Sequence, residues 1–291
     1  MKRSSRSMPS PVQAQVARLS PARDDQAIVR LCYTVEFPWD MARALELALF
    51  RTFAVPAVAE LLATTGEFER RTQKRYDDTS ILIGEFLAHG YDDERGRRAI
   101  SRMNAIHARF AIANDTYLYV LSTFVCEPPR WLERFGWRTF SAAETEAGFR
   151  FWQRVGELMG IRAIPASYAQ MDAFNRDYER RHFRHSAAGE RIARATLDLM
   201  MGWYLPRPLR PLGQRALLAL MDDPLLDAFG LARPAAPVRR LAERAMRVRA
   251  RALRWLPRNR VETRVQDLTW RSYPDGYDID ELGARAPLSP D

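Results

Sequence analysis

An arginine, a threonine and a histidine stand out in this chain because each falls where helical spacing calls for an apolar side chain. Arg75 and Thr79 lie four residues apart in Thr72-Gln-Lys-Arg-Tyr-Asp-Asp-Thr-Ser-Ile-Leu-Ile-Gly-Glu-Phe-Leu-Ala-His-Gly90. At 3.6 residues per turn they share a stripe with Leu82, Ile83 and Phe86, while Asp77, Asp78 and Glu85 look elsewhere. His107 sits on a second stripe with Ile100, Met103, Phe110 and Ala111. A neutral imidazole is among the commonest metal ligands, and one histidine holds the iron in many haem proteins. A core histidine satisfied by a backbone carbonyl fits the same spacing, and both readings stand at this point.

The elements that must position these residues read as helices throughout. Histidine and then glycine close the 72–89 segment, as helix ends prefer. Tyr91-Asp-Asp-Glu-Arg-Gly is the turn into the next helix. Asp40 is expected to cap a helix over 41–53, and Thr64-Thr-Gly-Glu67 has the form of a capping box. Asn114-Asp-Thr is expected to cap an apolar helix from 117 that ends at Glu127-Pro-Pro129. Ser141-Ala-Ala-Glu144 and Ser167-Tyr-Ala-Gln170 start two further helices, and segments over 189–203, 212–221 and 223–230 follow. Helical stretches joined by short capped turns, with little strand alternation, indicate an all-α fold.

Composition narrows the function classes. A chain of 291 residues, 47% hydrophobic, can bury a substantial core without staples. Cys32 and Cys126 form no C-x-x-C pair, so neither a disulfide framework nor a zinc site is supported, and a reducing, cytoplasmic setting is expected. The longest clean apolar run, 117–126, is far short of the roughly 20 residues that span a bilayer. The net charge of +9 is local: residues 239–260 hold nine arginines against the single acid Glu243.

That basic stretch reads as an amphipathic helix over 238–256 with a narrow apolar seam of Leu241, Ala245, Val248, Ala252 and Trp255. The expected arrangement is an outer helix whose arginine stems cover the core. A surface for anionic lipid or nucleic acid is the other reading. The last thirty residues are acidic and contain the turn Tyr273-Pro-Asp-Gly-Tyr277; they are expected to pack on the same domain, with a return onto this helix as one arrangement open to them. His89 is expected to cap its helix end, and His182 and His185 to belong to a solvated basic helix end. H-E-x-x-H and G-x-S-x-G patterns are absent and Glu-x-x-His occurs once, at Glu179–His182, where an iron-carboxylate bundle needs it twice, so metallohydrolase, serine-hydrolase and iron-carboxylate readings find no support.

Several segments in order resemble the MpaB-type and rubber (latex-clearing) oxygenase family. They are Arg75-Tyr-Asp-Asp-Thr79, His89-Gly-Tyr-Asp92, Ile100-Ser-Arg-Met-Asn-Ala-Ile-His-Ala108 and Asn114-Asp-Thr-Tyr-Leu-Tyr119. Gly136-Trp-Arg138 followed by Glu144, and then residues 156–165, extend the likeness to roughly residues 40–230. The resemblance implies a single multi-helix domain enclosing a haem pocket, with haem b iron bound by His107. It implies Arg75 and Thr79 as the distal, catalytic pair, and dioxygen used to cleave carbon–carbon double bonds in isoprenoid chains. Leu82, Ile83, Phe86 and Met103 are then expected in the wall that meets cofactor and apolar substrate. Rubber-cleaving members carry a lysine just before the distal threonine; here that position is Asp78, and Lys74 should point about 100° away from Arg75. That departure argues against a lysine-capped state and against cleavage of the polymer itself.

Three segments are expected: a disordered or loosely packed basic leader over 1–30, the helical haem-binding domain over 31–235, and the basic helix with its acidic tail over 236–291. The expected partners are an apolar small molecule and dioxygen, with no nucleic acid and with peripheral membrane contact through 239–256; oligomeric state is left open. A non-catalytic helical haem protein and a basic-helix binding module are the competing readings.

Overall fold

The computed structural model describes residues 10–255 and 261–283. Fourteen α-helices are found among them: α1 (Pro11–Val16), α2 (Asp25–Arg30), α3 (Pro38–Thr52), α4 (Pro56–Thr65), α5 (Glu67–Arg70), α6 (Thr72–His89) and α7 (Glu94–His107), then α8 (Asn114–Phe135), α9 (Ala142–Leu158), α10 (Tyr168–His182), α11 (Ala187–Tyr204), α12 (Arg210–Leu218), α13 (Asp223–Ala228) and α14 (Ala236–Trp255). A π-helical turn, Leu31–Glu36, joins α2 to α3. Among the described residues the only β pairing is an isolated bridge between Trp270 and Tyr273, so the fold is all-α.

The long helix α8 is the axis of the molecule. It is apolar on most sides because α3 packs along one flank and α9 and α10 along others. One core joins α1–α3 and α6–α9 through residues such as Ile28, Met41, Phe86, Leu132 and Trp152. A second gathers Phe50, Phe53, Tyr178, Ile192 and Phe229 where α3, α4, α10, α11 and α13 meet.

Pro128 and Pro129 do not end α8, which continues to Phe135. Each proline removes a ladder hydrogen bond, yet the segment is held from outside. Buried Arg51 of α3 donates to Glu179 at 2.8 Å and lies 3.7 Å from Glu127, and it also reaches Asp222. Arg130 donates to Glu127, Asp172 and Asn175 at 2.7–2.8 Å. Tertiary ion pairs thus hold a stretch that local propensity would break.

Other expected boundaries shift for similar reasons. Asn114 is the first residue of α8 rather than its cap, and its side chain accepts from Arg162 N at 2.9 Å and donates to Arg162 O at 3.1 Å. Asp40 lies inside the first turn of α3, buried, taking Trp131 Nε1 at 3.1 Å and Arg249 at 2.9 Å. Gly66, at φ 66°, ends α4 in the left-handed region instead of opening a capping box. The Ser141–Glu144 box forms in full, and Ser167 caps α10.

Residues 10–30 do not form the loose leader expected of them. Val12, Val16, Ile28 and Val29 are buried in the main core, and Ser10 Oγ donates to Glu36 at 2.6 Å. Residues 1–9 of that segment lie outside the described residues. Of the two placements open to the acidic tail, the domain and the basic helix, 261–283 takes the first and docks on α6 and α7. Ser272 N donates to Asp77 at 2.9 Å, Tyr277 Oη to Glu85 at 2.5 Å, and Arg98 to Asp280 at 2.6 Å. The carboxylates of α6 that point off its apolar stripe are what the tail binds. Residues 256–260 and 284–291 lie outside the described residues.

Helix α14 does not present its seam to the core. None of its residues is buried, and all five seam positions are exposed, with Leu241 at 70%, Val248 at 54% and Trp255 at 88%. The helix rests instead on its other side, where Met246 packs partly on the core and Arg249 stacks 3.8 Å from the Trp39 ring centre.

Candidate active site

Two helix ends and one helix face build the site. Asp93 caps α7 by accepting from Arg95 N at 2.9 Å, and fourteen residues later His107 closes that helix. Antiparallel to it runs α6, ended by Gly90 at φ 88°. Their facing stripes border a cavity of about 850 Å³, towards the upper end of the roughly 300–1,000 Å³ usual for ligand pockets. Its wall is predominantly apolar, with contributions from α3, α8, α9 and α11.

All seven residues singled out from the sequence meet here: Arg75, Thr79, Leu82, Ile83, Phe86, Met103 and His107 line the one cavity. Phe110 and Ala111 also reach it from beyond the end of α7, not from the helix itself. Phe86 is held edge-on to Trp152, ring centres 5.8 Å apart.

His107 is not satisfied by a carbonyl. Its Nδ1 is buried with no hydrogen-bond partner, and the ring stands edge-on to Tyr117 at 5.5 Å. Burial first, and the charge of Arg75 second, push its pKa down to about 4, so the imidazole is neutral at ordinary pH. His107 thus brings a neutral ring to the wall of a predominantly apolar cavity, and a neutral imidazole is the form that ligates a haem iron.

Arg75 forms no ion pair among the described residues, although Asp77 and Asp78 are its neighbours on α6. Asp78 is taken by Lys74 at 2.8 and 2.9 Å and by Tyr273, and Asp77 by Gln73 and Ser272 N, each at 2.9 Å. The guanidinium lies over the Phe68 ring, 5.1 Å from its centre, and burial lowers its pKa from the usual arginine value. A fixed positive charge is thereby kept on the wall of a predominantly apolar cavity with no ion pair of its own, Asp78 and Glu67 acting on it only from a distance. Thr79 is less free than its position suggests: its hydroxyl donates to Arg75 O at 3.0 Å, inside its own helix. Lys74 points away from the cavity, into the Asp78–Tyr273 cluster.

Two parts of the wall were not legible in the sequence. One is a polar group at which Arg43 and Tyr76 both donate to Glu46. The Arg43–Glu46 spacing of three, on one face of an otherwise apolar helix, was the available signal. The other is the tail, whose Thr263, Val265, Leu268, Thr269 and Trp270 close one side of the cavity. That stretch has no periodicity to reveal it.

The remaining histidines stay outside. His89 Nε2 pairs with Gln266 at 3.2 Å, His182 stacks 4.1 Å from Tyr178, and His185 meets Glu190 at 3.0 Å. Among the described residues no cluster of three or more His, Cys, Asp or Glu side chains forms a metal-holding group.

Residues 34–255 match the family described as ER-bound oxygenase mpaB/B'/rubber oxygenase, catalytic domain. ER-bound oxygenase mpaB' of Penicillium brevicompactum is 29% identical over 213 residues, covering 67% of this chain and 50% of that protein. ER-bound oxygenase mpaB of Penicillium roqueforti is 28% identical, covering 67% of this chain and 71% of that protein. Its namesake in P. brevicompactum is 31% identical over 51% of this chain and 42% of its own length, so this chain spans half or less of the two P. brevicompactum proteins. The solved structure of latex clearing protein in the closed state aligns at a TM-score of 0.49 and 16% identity, over 88% of this chain and 72% of that one.

These names overturn the cytoplasmic placement expected from the cysteines, since the matched family and all three relatives are described as ER-bound. Free thiols report a reducing environment, which the cytosolic face of a membrane also provides, so they could not distinguish the two. Among the described residues no single helix is long and apolar enough to cross a membrane; α3 and α4 together reach that length and composition but are bent by 97°. The match over 34–255, within which Arg75, Thr79 and His107 all fall, places this chain in the mpaB and rubber oxygenase catalytic-domain family.

Proposed function

We propose that the cavity holds haem b and that the protein is an oxygenase acting with dioxygen on an apolar alkene or isoprenoid-like substrate in a membrane-associated setting. The observation that carries this reading is the neutral, unpartnered imidazole of His107 on the wall that also holds the ion-pair-free guanidinium of Arg75. When bound, haem supplies the redox-active iron that dioxygen chemistry needs. His107 would hold that iron.

The protein's own part is positioning and electrostatics. Arg75 keeps a preorganised positive charge where negative charge develops, in a site whose low dielectric magnifies its effect. Thr79 becomes a second donor once its hydroxyl rotates off Arg75 O. Leu82, Ile83 and Phe86 exclude water and present an apolar surface to a hydrocarbon chain. Asp78 binds Lys74 away from the cavity, leaving that wall free of an ammonium group.

The test is an ultraviolet–visible spectrum of the purified chain after loading with haem b, before and after dithionite. Wild type should show a Soret band that His107→Ala lacks while its far-ultraviolet circular dichroism is unchanged; a His107→Ala protein with full haem occupancy overturns the reading. Oxygen uptake with a panel of isoprenoid alkenes then tests the reaction, and a haem-loaded chain that consumes no oxygen with any of them is not an oxygenase of this class.

A further inference from the structure

Helix α14 is built inside out for a helix that only covers a core. Its seam residues Leu241, Ala245, Val248, Ala252 and Trp255 all face outward. At 100° per residue, Arg240, Arg244, Arg247, Arg251 and Arg254 run along one flank of that seam. All five are exposed, and none has an acidic partner among the described residues. Two further arginines point to the other side and are neutralised by the fold: Arg239 by Asp223, and Arg249 by Asp40 at 2.9 Å. Helix α12, which packs on α14, leaves Leu212 68% exposed, and Leu209 just before that helix is 48% exposed.

We propose that this face is a docking surface for an anionic lipid bilayer, with the seam in the headgroup boundary and the arginine flank on lipid phosphates and carboxylates. An apolar stripe ending in tryptophan beside a ribbon of arginine is the composition of a helix that lies in a membrane interface. The charge weighs against a second copy of the chain, because pairing the seams antiparallel would bring two arginine flanks together. Nucleic acid would satisfy the arginines but leave Leu241, Val248 and Trp255 against phosphate and water.

The surface borders the cavity. Leu212 and Leu217 both belong to α12, the first on the exposed face and the second in the cavity wall. Arg249 ties α14 to Asp40 and Trp39, one turn before Arg43 and Glu46 of that wall. A bilayer on this face therefore lies one helix away from the place proposed for a hydrocarbon substrate. The inference deepens the membrane setting of the proposed function, and its test reads lipid binding, which depends on neither haem nor turnover.

The experiment is flotation of the full chain with phosphatidylcholine vesicles, with and without phosphatidylserine. Wild type should bind the anionic vesicles at least about tenfold more tightly than the neutral ones, less so at high salt, with a blue shift in tryptophan emission. Leu241→Ser/Val248→Ser/Trp255→Ser and, separately, Arg244→Gln/Arg247→Gln/Arg251→Gln should each weaken binding about tenfold or more. All six positions are exposed, so both variants should keep the wild-type unfolding temperature. Equal binding to both vesicle types, or anionic binding untouched by either variant, overturns the proposal. So does binding to duplex DNA without binding to vesicles, or a change in oligomeric state as the only effect of the seam variant.

Discussion

Gly84, in the middle of α6, faces Val265 of the tail so closely that a Cβ at Gly84 would lie 2.6 Å from Val265 Cγ2. Val265 is itself buried, and its carbonyl accepts from Trp270 Nε1 at 3.0 Å, so it has little room to retreat. The tail thus closes over a helix whose weakest position for propensity is the point of closest approach.

Gly84→Ala should therefore destabilise the protein although alanine favours a helix interior by about 1 kcal/mol. Overpacking costs roughly 1–3 kcal/mol and should win. Thermal unfolding should show a lower midpoint, and adding Val265→Ala should recover much of it. A Gly84→Ala protein more stable than wild type would mean that the tail does not pack here.

Asp78 is buried between Lys74 and Tyr273. Removing one partner of a buried pair leaves the other uncompensated, so Asp78→Ala should cost about 3 kcal/mol in denaturant unfolding. Replacing both charges, as Lys74→Met/Asp78→Leu, should cost less than Asp78→Ala alone. The two proteins having equal stability would show that the pair is not coupled.

Arg75 is a half-buried cation on the cavity wall with no ion pair among the described residues, a feature that stability alone would not select. Arg75→Met should leave the haem-free chain as stable as wild type or about 1 kcal/mol more so. The same change should lower oxygen uptake by about 10²-fold if the charge acts on the reaction as proposed. Marked destabilisation with unchanged turnover would make Arg75 a structural residue.

Burial pushes the Glu144 carboxyl up, but the Arg138 fork, with both N···O distances at 2.8 Å, and the Ser141 N–H outweigh it and hold it below the usual glutamate range. A depressed folded value means stability that is present above the unfolded glutamate pKa and lost as pH falls through the folded one. Arg138→Met should cost about 3 kcal/mol near neutral pH. Its deficit should shrink on acidification below about 4.5, the unperturbed value. A deficit independent of pH would show that packing of Arg138 on Phe37, and not charge, is what was lost.

Helical spacing alone put Arg75, Thr79, Leu82, Ile83 and Phe86 on one stripe and Met103 and His107 on another, and the cavity lies between those stripes. It was legible because a period of 3.6 residues is a local property, and so is a capping box such as that of Ser141 and Glu144. Whether His107 was a satisfied core residue or an open donor was not legible. That depends on which carbonyls surround Nδ1, and these come from segments distant in the chain.

Amphipathicity itself was visible in 238–256, but a periodic seam says only that one face differs from the other. Which face meets the protein was decided by Asp40 and Trp39 capturing Arg249 on the far side. Likewise α8 runs through Pro128 and Pro129 because Arg51 and Arg130 find their carboxylates there, a balance that propensity cannot express. The acidity of the tail left the arginines of α14 open as one place for it to dock. The tail went to α6, where hydrogen-bond donors at Ser272, Tyr273 and Tyr277 meet Asp77, Asp78 and Glu85. Local period and capping thus settled the helices and the faces that hold the candidate site. Long-range charge and hydrogen-bond pairing, which depends on three-dimensional proximity, settled what closes that site and which surface was left for a partner.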